Sequence, residues 1–129
     1  MLVKCNKIIS SITKEDLGDQ SPWLKRGKEY VVFLLNISSK SGMEVCIQTE
    51  HHNELGFFSL NGFEIISRKI PSSWVTTIQD IGDEKIITML PKSWEYDSFF
   101  EDVDDEKPAA VALFNKEAEI MYREEGLID

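Results

Sequence analysis

The chain has 129 residues, of which 42% are hydrophobic, and a net charge of −9. That size suits one domain able to bury roughly two thirds of its unfolded surface, and the composition excludes a disordered chain. The charge argues against nucleic acid or anionic lipid as a partner and favours a basic one.

The charge is unevenly placed. Residues 1–50 carry seven basic and six acidic side chains, whereas residues 95–129 carry three basic and twelve acidic. No long apolar region follows Met1, so no signal peptide is expected. The longest apolar run, residues 31–35, is far short of the roughly 20 residues that cross a bilayer. A cytoplasmic location is the expectation, with Cys5 and Cys46 as reduced thiols; a disulfide between them is the alternative.

In chain order, Val3, Cys5, Ile8, Ile9 and Ile12 alternate weakly, giving either a first strand or an irregular lead-in over residues 2–13. Residues 14–22 are polar, with Gly18-Asp19 and Ser21-Pro22 as turn chemistry. Gly27 precedes a strand at a point where a tight bend needs a positive φ. Residues 30–37 are apolar on both faces and predict a central strand covered on both sides. A Ser/Gly loop over 38–42 leads into a return strand, 43–48, with Met43, Val45 and Ile47 on one face. A polar loop holding His51-His52 precedes a third strand, 55–60, and Gly62 marks a turn before Phe63-Glu64-Ile65-Ile66. Together residues 24–67 read as an antiparallel meander whose inner face is the core.

Ile70-Pro71-Ser72-Ser73-Trp74 is echoed by Leu90-Pro91-Lys92-Ser93-Trp94. Each proline suits a single helical turn that tucks its tryptophan against the body. Between them, residues 75–81 and 85–89 form a hairpin around Gly82-Asp83-Glu84. Residues 95–107 are the acidic stretch, with Tyr96, Phe99 and Phe100 embedded in it. A helix follows over 108–125: Pro108 suits its first position, Asp105 or Glu106 its dipole, and Gly126 its stop. Val111, Phe114, Ala118 and Met121 share one face, and Glu117, Glu119, Glu124 and Glu125 look mostly outward. Glu124 and Glu125 stand at the unfavourable end of the dipole, and Glu119 and Arg123 form an i,i+4 pair. The fold class is therefore α+β in a single domain, residues 1–129. It is a small, mostly antiparallel barrel or strongly bent sheet of five to seven strands with one C-terminal helix packed on it.

Motif chemistry is sparse. Adjacent histidines in an extended chain point to opposite sides, so His51 and His52 make a poor metal site, and no nucleophile motif accompanies them. An enzyme built on either would need a cleft lined by that histidine and a carboxylate. The run Asp102-Val103-Asp104-Asp105-Glu106 lacks the glycine of a calcium loop. No cofactor motif is present, and Lys25, Arg26 and Lys28 are ordinary surface. The acidic stretch is the best candidate for function: Glu95, Asp97, Glu101, Asp102, Asp104, Asp105 and Glu106 could present a comb of carboxylates to a basic cleft. The plain alternative is that the phenylalanines are core and the acids keep the segment soluble; the two overlap.

Leu24-x-x-Gly27-Lys28-x-Tyr30-x-Val32, the turn, Val45-x-Ile47 and Phe63-Glu64-Ile65-Ile66 resemble small SH3-like barrel domains of bacterial and phage origin, over roughly a third of the chain. The remainder, with its two Pro-x-Ser-Trp segments, aromatic-acidic stretch and closing helix, looks like small immunity proteins of bacterial polymorphic-toxin and contact-dependent inhibition systems. That resemblance implies a non-enzymatic cytoplasmic inhibitor covering the active site or substrate surface of a toxin domain, often a basic nuclease. A second expectation is an SH3-like adaptor that binds a peptide in an aromatic groove formed by Trp23, Tyr30 and Trp74.

Overall fold

The computed structural model describes residues 1–8 and 21–128. The expectations for Ile9, Ile12 and the turn at Gly18-Asp19 lie outside the described residues. Among the described residues eight strands form two antiparallel sheets, and no closed barrel is formed. The smaller sheet has the order β2-β1-β6, from β1 (Leu2–Cys5), β2 (Glu29–Val31) and β6 (Phe63–Ser67). The larger has the order β5-β4-β3-β8-β7, from β3 (Leu34–Ser38), β4 (Gly42–Gln48), β5 (Leu55–Ser59), β7 (Trp74–Ile81) and β8 (Glu84–Pro91). Two helices follow, α1 (Phe99–Asp104) and α2 (Pro108–Glu124). Among the described residues no helix is long and apolar enough to cross a membrane.

The single strand expected over residues 30–37 is two strands, because the chain changes sheets in the middle of the run. The Val32 amide donates to the Met1 carbonyl in the small sheet, and the next amide, of Phe33, donates to the Cys46 carbonyl in the large one. A crossing between sheets passes through the core, so Tyr30 through Leu35 are all buried. Apolar character on both faces thus marks a crossover as well as a central strand. The meander is correspondingly shorter than expected: β3, β4 and β5 form one, while β2 and β6 flank β1 in the other sheet. Gly27 has φ 86 and its amide donates to the Cys5 carbonyl, so the bend predicted before β2 is present.

The echoed Pro-x-Ser-Trp segments lie side by side, with Trp74 opposite Pro91 at the open end of the β7–β8 hairpin. Both tryptophans are buried, Trp74 as the first residue of β7 and Trp94 at the end of a 3-10 turn, Lys92–Trp94. Trp94 stacks between Phe99 of α1 (4.9 Å) and Phe114 of α2 (5.4 Å), and Phe114 meets Phe33 at the sheet crossover (5.1 Å). This aromatic chain ties both helices to the strands. Cys5 and Cys46 are buried thiols.

Helix α2 buries Phe114, Ala118 and Met121 as its spacing predicted, with Ala110 fully covered and Val111 only partly so. Glu119 and Arg123 pair at 2.7 Å. Glu125 corrects the outward reading of the helix's glutamates. Its carboxylate is almost covered, 2.6 Å from the Met1 amino group, and accepts the Ser67 hydroxyl at 3.0 Å. Strand β1 brings that ammonium group to the negative end of α2, which removes the penalty expected for an acid there. Glu124, half-buried, accepts the Ser72 amide at 3.0 Å at the surface, while Lys69 donates to the Glu124 carbonyl. The start of α2 differs as well: Lys107 precedes Pro108, and the first turn holds no acid.

Candidate functional site

Within the acidic stretch only Phe99–Asp104 is helical. Phe99 is fully buried and anchors α1, and Phe100 packs edge-on against Phe57 of β5 (5.6 Å). Glu95, Asp97, Glu101, Asp104, Asp105 and Glu106 are exposed. Asp102 is different: half-buried, it accepts Lys107 Nζ at 3.0 Å and the Ser98 hydroxyl at 3.2 Å, and its hydrogen bond raises the Lys107 pKa. It holds the corner together and is not available to a ligand as the others are.

The seven acids do not form one comb. Asp104 and Glu106 line a cleft of about 960 Å³ between the α1–α2 corner and the β4–β5 loop. Glu95 and Asp97 line a separate, smaller groove beside β7 and β8, with Trp94, Tyr96 and Phe100. Glu101 and Asp105 line neither.

The larger cleft also draws on residues outside the acidic stretch. Its floor includes Leu55, Val103, Val111 and Phe114, and the β4–β5 loop contributes His52, Asn53 and Glu54. The loop is closed by its own hydrogen bonds. The Thr49 amide donates to the Glu54 carbonyl, the Glu54 amide to the His51 carbonyl, and the buried Thr49 hydroxyl to the same His51 carbonyl. This turn brings the two histidine rings together, edge to face at 4.4 Å, with His51 resting on Trp23 (4.7 Å) and its Nδ1 3.3 Å from Glu54. The expectation that the rings point apart assumed an extended chain; His52 has φ 55 and is not extended.

Backbone conformation singles out this cleft. Among the described residues three non-glycine residues have positive φ: His52 (55), Asn53 (56) and Glu106 (57). All three line it. Each such residue costs about 1–2 kcal/mol relative to ordinary backbone, with asparagine the most tolerant. Outliers of this kind gather at functional sites, where surrounding structure holds them. At Glu106 the cause is visible. The Lys107 amide donates to the Asp102 carbonyl and the Glu106 amide to the Val103 carbonyl, the hydrogen-bond pair of a Schellman helix end, in which the left-handed position is usually glycine.

Compared with known proteins, the chain matches no family model, no curated sequence and no solved structure.

The aromatic groove expected of an adaptor is not formed by its three candidates. Tyr30 and Trp74 are buried and Trp23 is 41% exposed. The Tyr30 hydroxyl accepts the Lys25 amide and donates to Glu50, and burial pushes its pKa up to about 12. Glu50 also accepts Lys28 Nζ at 2.6 Å, which holds its carboxyl below the usual range. This network fastens the Gly27 bend to the end of β4. Among the described residues no three His, Cys, Asp or Glu side chains are grouped as a metal ion would require.

Of these features, Asp104 and Glu106 were legible as site candidates from charge. Asparagine's tolerance of left-handed backbone is the signal that could have found Asn53. The apolar floor was not legible, because Leu55, Val103 and Val111 carry no signal apart from the fold that assembles them.

Proposed function

We propose that this chain is a non-enzymatic binding protein that uses the cleft between α1–α2 and the β4–β5 loop, together with the exposed acids around it, to capture a basic protein partner. The reading extends to an immunity protein acting in the cytoplasm, which neutralises a cognate bacterial toxin, in particular a basic nuclease domain, by covering its active site or substrate surface. The observation that carries it is the convergence of all three left-handed non-glycine residues among those described on one cleft that contains Glu54, Asp104 and Glu106 over an apolar floor. An apolar floor ringed by carboxylates suits an inserted lysine or arginine, whose stem packs below while its charge pairs at the rim. The surplus of acids over residues 95–106 adds electrostatic steering.

The test is binding to a partner recovered from the native bacterium, including the product encoded immediately upstream. The association rate is expected to fall about tenfold or more as salt rises from low to high ionic strength, and the double change Asp104→Lys, Asp105→Lys to weaken binding on the order of 100-fold. Binding that is independent of salt and indifferent to that reversal overturns the assignment of the site.

One observation favours a second reading. His52 and three carboxylates line the same cleft, the minimum needed to handle protons on a bound substrate or water. The described lining contains no serine, threonine, cysteine or lysine to act as nucleophile. A hydrolytic activity abolished by His52→Ala with partner binding intact would establish this reading over the first.

A further inference from the structure

Among the described residues strand β7 forms one edge of the five-stranded sheet. It pairs with β8 over eight residues without a bulge, and it contains neither lysine nor proline, the usual guards of an open edge. Its sequence, Trp-Val-Thr-Thr-Ile-Gln-Asp-Ile, is rich in residues that favour strands. Ile78 is 74% exposed and Ile81 60%, the two most exposed large hydrophobic residues described.

The register places Ile78 in a row. It lies opposite Ile87 of β8, which lies opposite Ile37 of β3, which lies opposite Met43 of β4. Four large aliphatic residues therefore run across four strands on one face of the sheet and stop at the open edge. The matching row on the other face is polar: Thr77, Thr88, Asn36 and Glu44, with hydrogen bonds from Thr88 to Asn36 and from Asn36 to Glu44. At this one register position the sheet is aliphatic on one face and polar on the other.

We infer that this edge is a self-association surface, at which β7 pairs antiparallel with β7 of a second copy about a twofold axis through Ile78. In that register Ile78 meets Ile78 of the second copy, Thr77 meets Gln79, Thr76 meets Asp80 and Val75 meets Ile81. The aliphatic row then continues unbroken through both sheets, and the two five-stranded sheets become one of ten. The strand is its own complement. Its single charge, Asp80, falls opposite a threonine and not opposite itself, and is already paired with Lys85. The hairpin segment itself carries little net charge, although Glu95 and Asp97 line the groove on its Thr77–Gln79 face. Residues 68–94 carry four basic and three acidic side chains, against three and twelve over residues 95–129. The surface shares no residue with the cleft, so its fate is independent of the function proposed for that cleft.

Sedimentation velocity of the full chain from micromolar to near-millimolar concentration tests the pairing. A dimer growing with concentration is expected. Ile78→Lys places like charges directly opposite and is expected to raise the dimer Kd roughly tenfold or more, with the circular dichroism spectrum unchanged because the side chain is exposed. Ile78→Cys should form an intermolecular disulfide under mild oxidation, and Gln79→Cys, whose two copies lie diagonally about 7–8 Å apart on the other face, should do so far more slowly. A dimer that survives Ile78→Lys, or that cross-links in the Gln79→Cys variant in preference to the Ile78→Cys variant, overturns the register. A chain that stays monomeric throughout overturns the proposal and leaves the edge to a strand from a different protein.

Discussion

Helices α1 and α2 end in the same hydrogen-bond pattern with different residues in the left-handed position. At the end of α2 the Leu127 amide donates to the Tyr122 carbonyl and the Gly126 amide to the Arg123 carbonyl, with Gly126 at φ 74. At the end of α1 the equivalent bonds close around Glu106 at φ 57. Glycine adopts that conformation without steric penalty, whereas glutamate does so at about 1–2 kcal/mol. The two ends also differ in surroundings. The α2 end is neutralised from within, by the Met1 amino group on Glu125 and by Lys69 on the Glu124 carbonyl. The α1 end faces a cleft with Asp104, Glu106 and Glu54 in its lining. One end is built for stability, and the other keeps an acid where glycine would be easier.

Four changes sharpen or break this contrast, beyond the charge reversal above. The largest effect on stability is expected from Phe99→Ala, which removes the ring stacked on Trp94 and leaves a cavity beneath α1. A loss of about 3–5 kcal/mol in denaturant unfolding is expected, with partner binding lost too, because the acidic corner is held by that ring. Next is Gly126→Ala. Among the described residues beyond its own chain neighbours, no atom lies within 4 Å of the added methyl, so the penalty is conformational, about 1–2 kcal/mol and a fall in Tm of about 5 °C, with binding unchanged. Glu106→Gly should act in the opposite sense. Relief of the left-handed glutamate, less the entropy of a new glycine, gives a gain of about 0.5 kcal/mol with weaker partner binding. A loss of stability instead would mean that the Glu106 side chain supports the fold.

The smallest effect concerns pH. Hydrogen bonds from Ser72, then nearby Lys69 and the amino terminus, hold the Glu124 carboxyl below its usual range. A carboxylate with a depressed folded pKa stabilises the fold above its unfolded pKa, roughly 4.3, and that contribution is lost as pH falls through the folded value. Glu124→Gln should therefore flatten the acid limb of a stability–pH curve below about pH 5.

The α+β class, the β7–β8 hairpin, the bend at Gly27 and the extent of α2 were legible because each rests on local chemistry: alternation, turn residues, a proline at the first helical position and a glycine after the last. The acidity of the corner was legible for the same reason, being a property of consecutive residues. Local pattern could not show that residues 30–37 serve two sheets, since an apolar run reads alike whether it is covered by two layers or passes between them. Nor could it show that Glu125 is buried, because its partners, the Met1 amino group and Ser67, are brought to it only by the pairing of β1 with β6. The cleft belongs to the same class. Its acids come from residues 104 and 106, its histidine and third carboxylate from the β4–β5 loop, and its floor from both helices and β5. Sequence set the charge and conformational tolerance of each piece; only packing across the aromatic chain from Phe33 to Phe99 decided which pieces would share a surface.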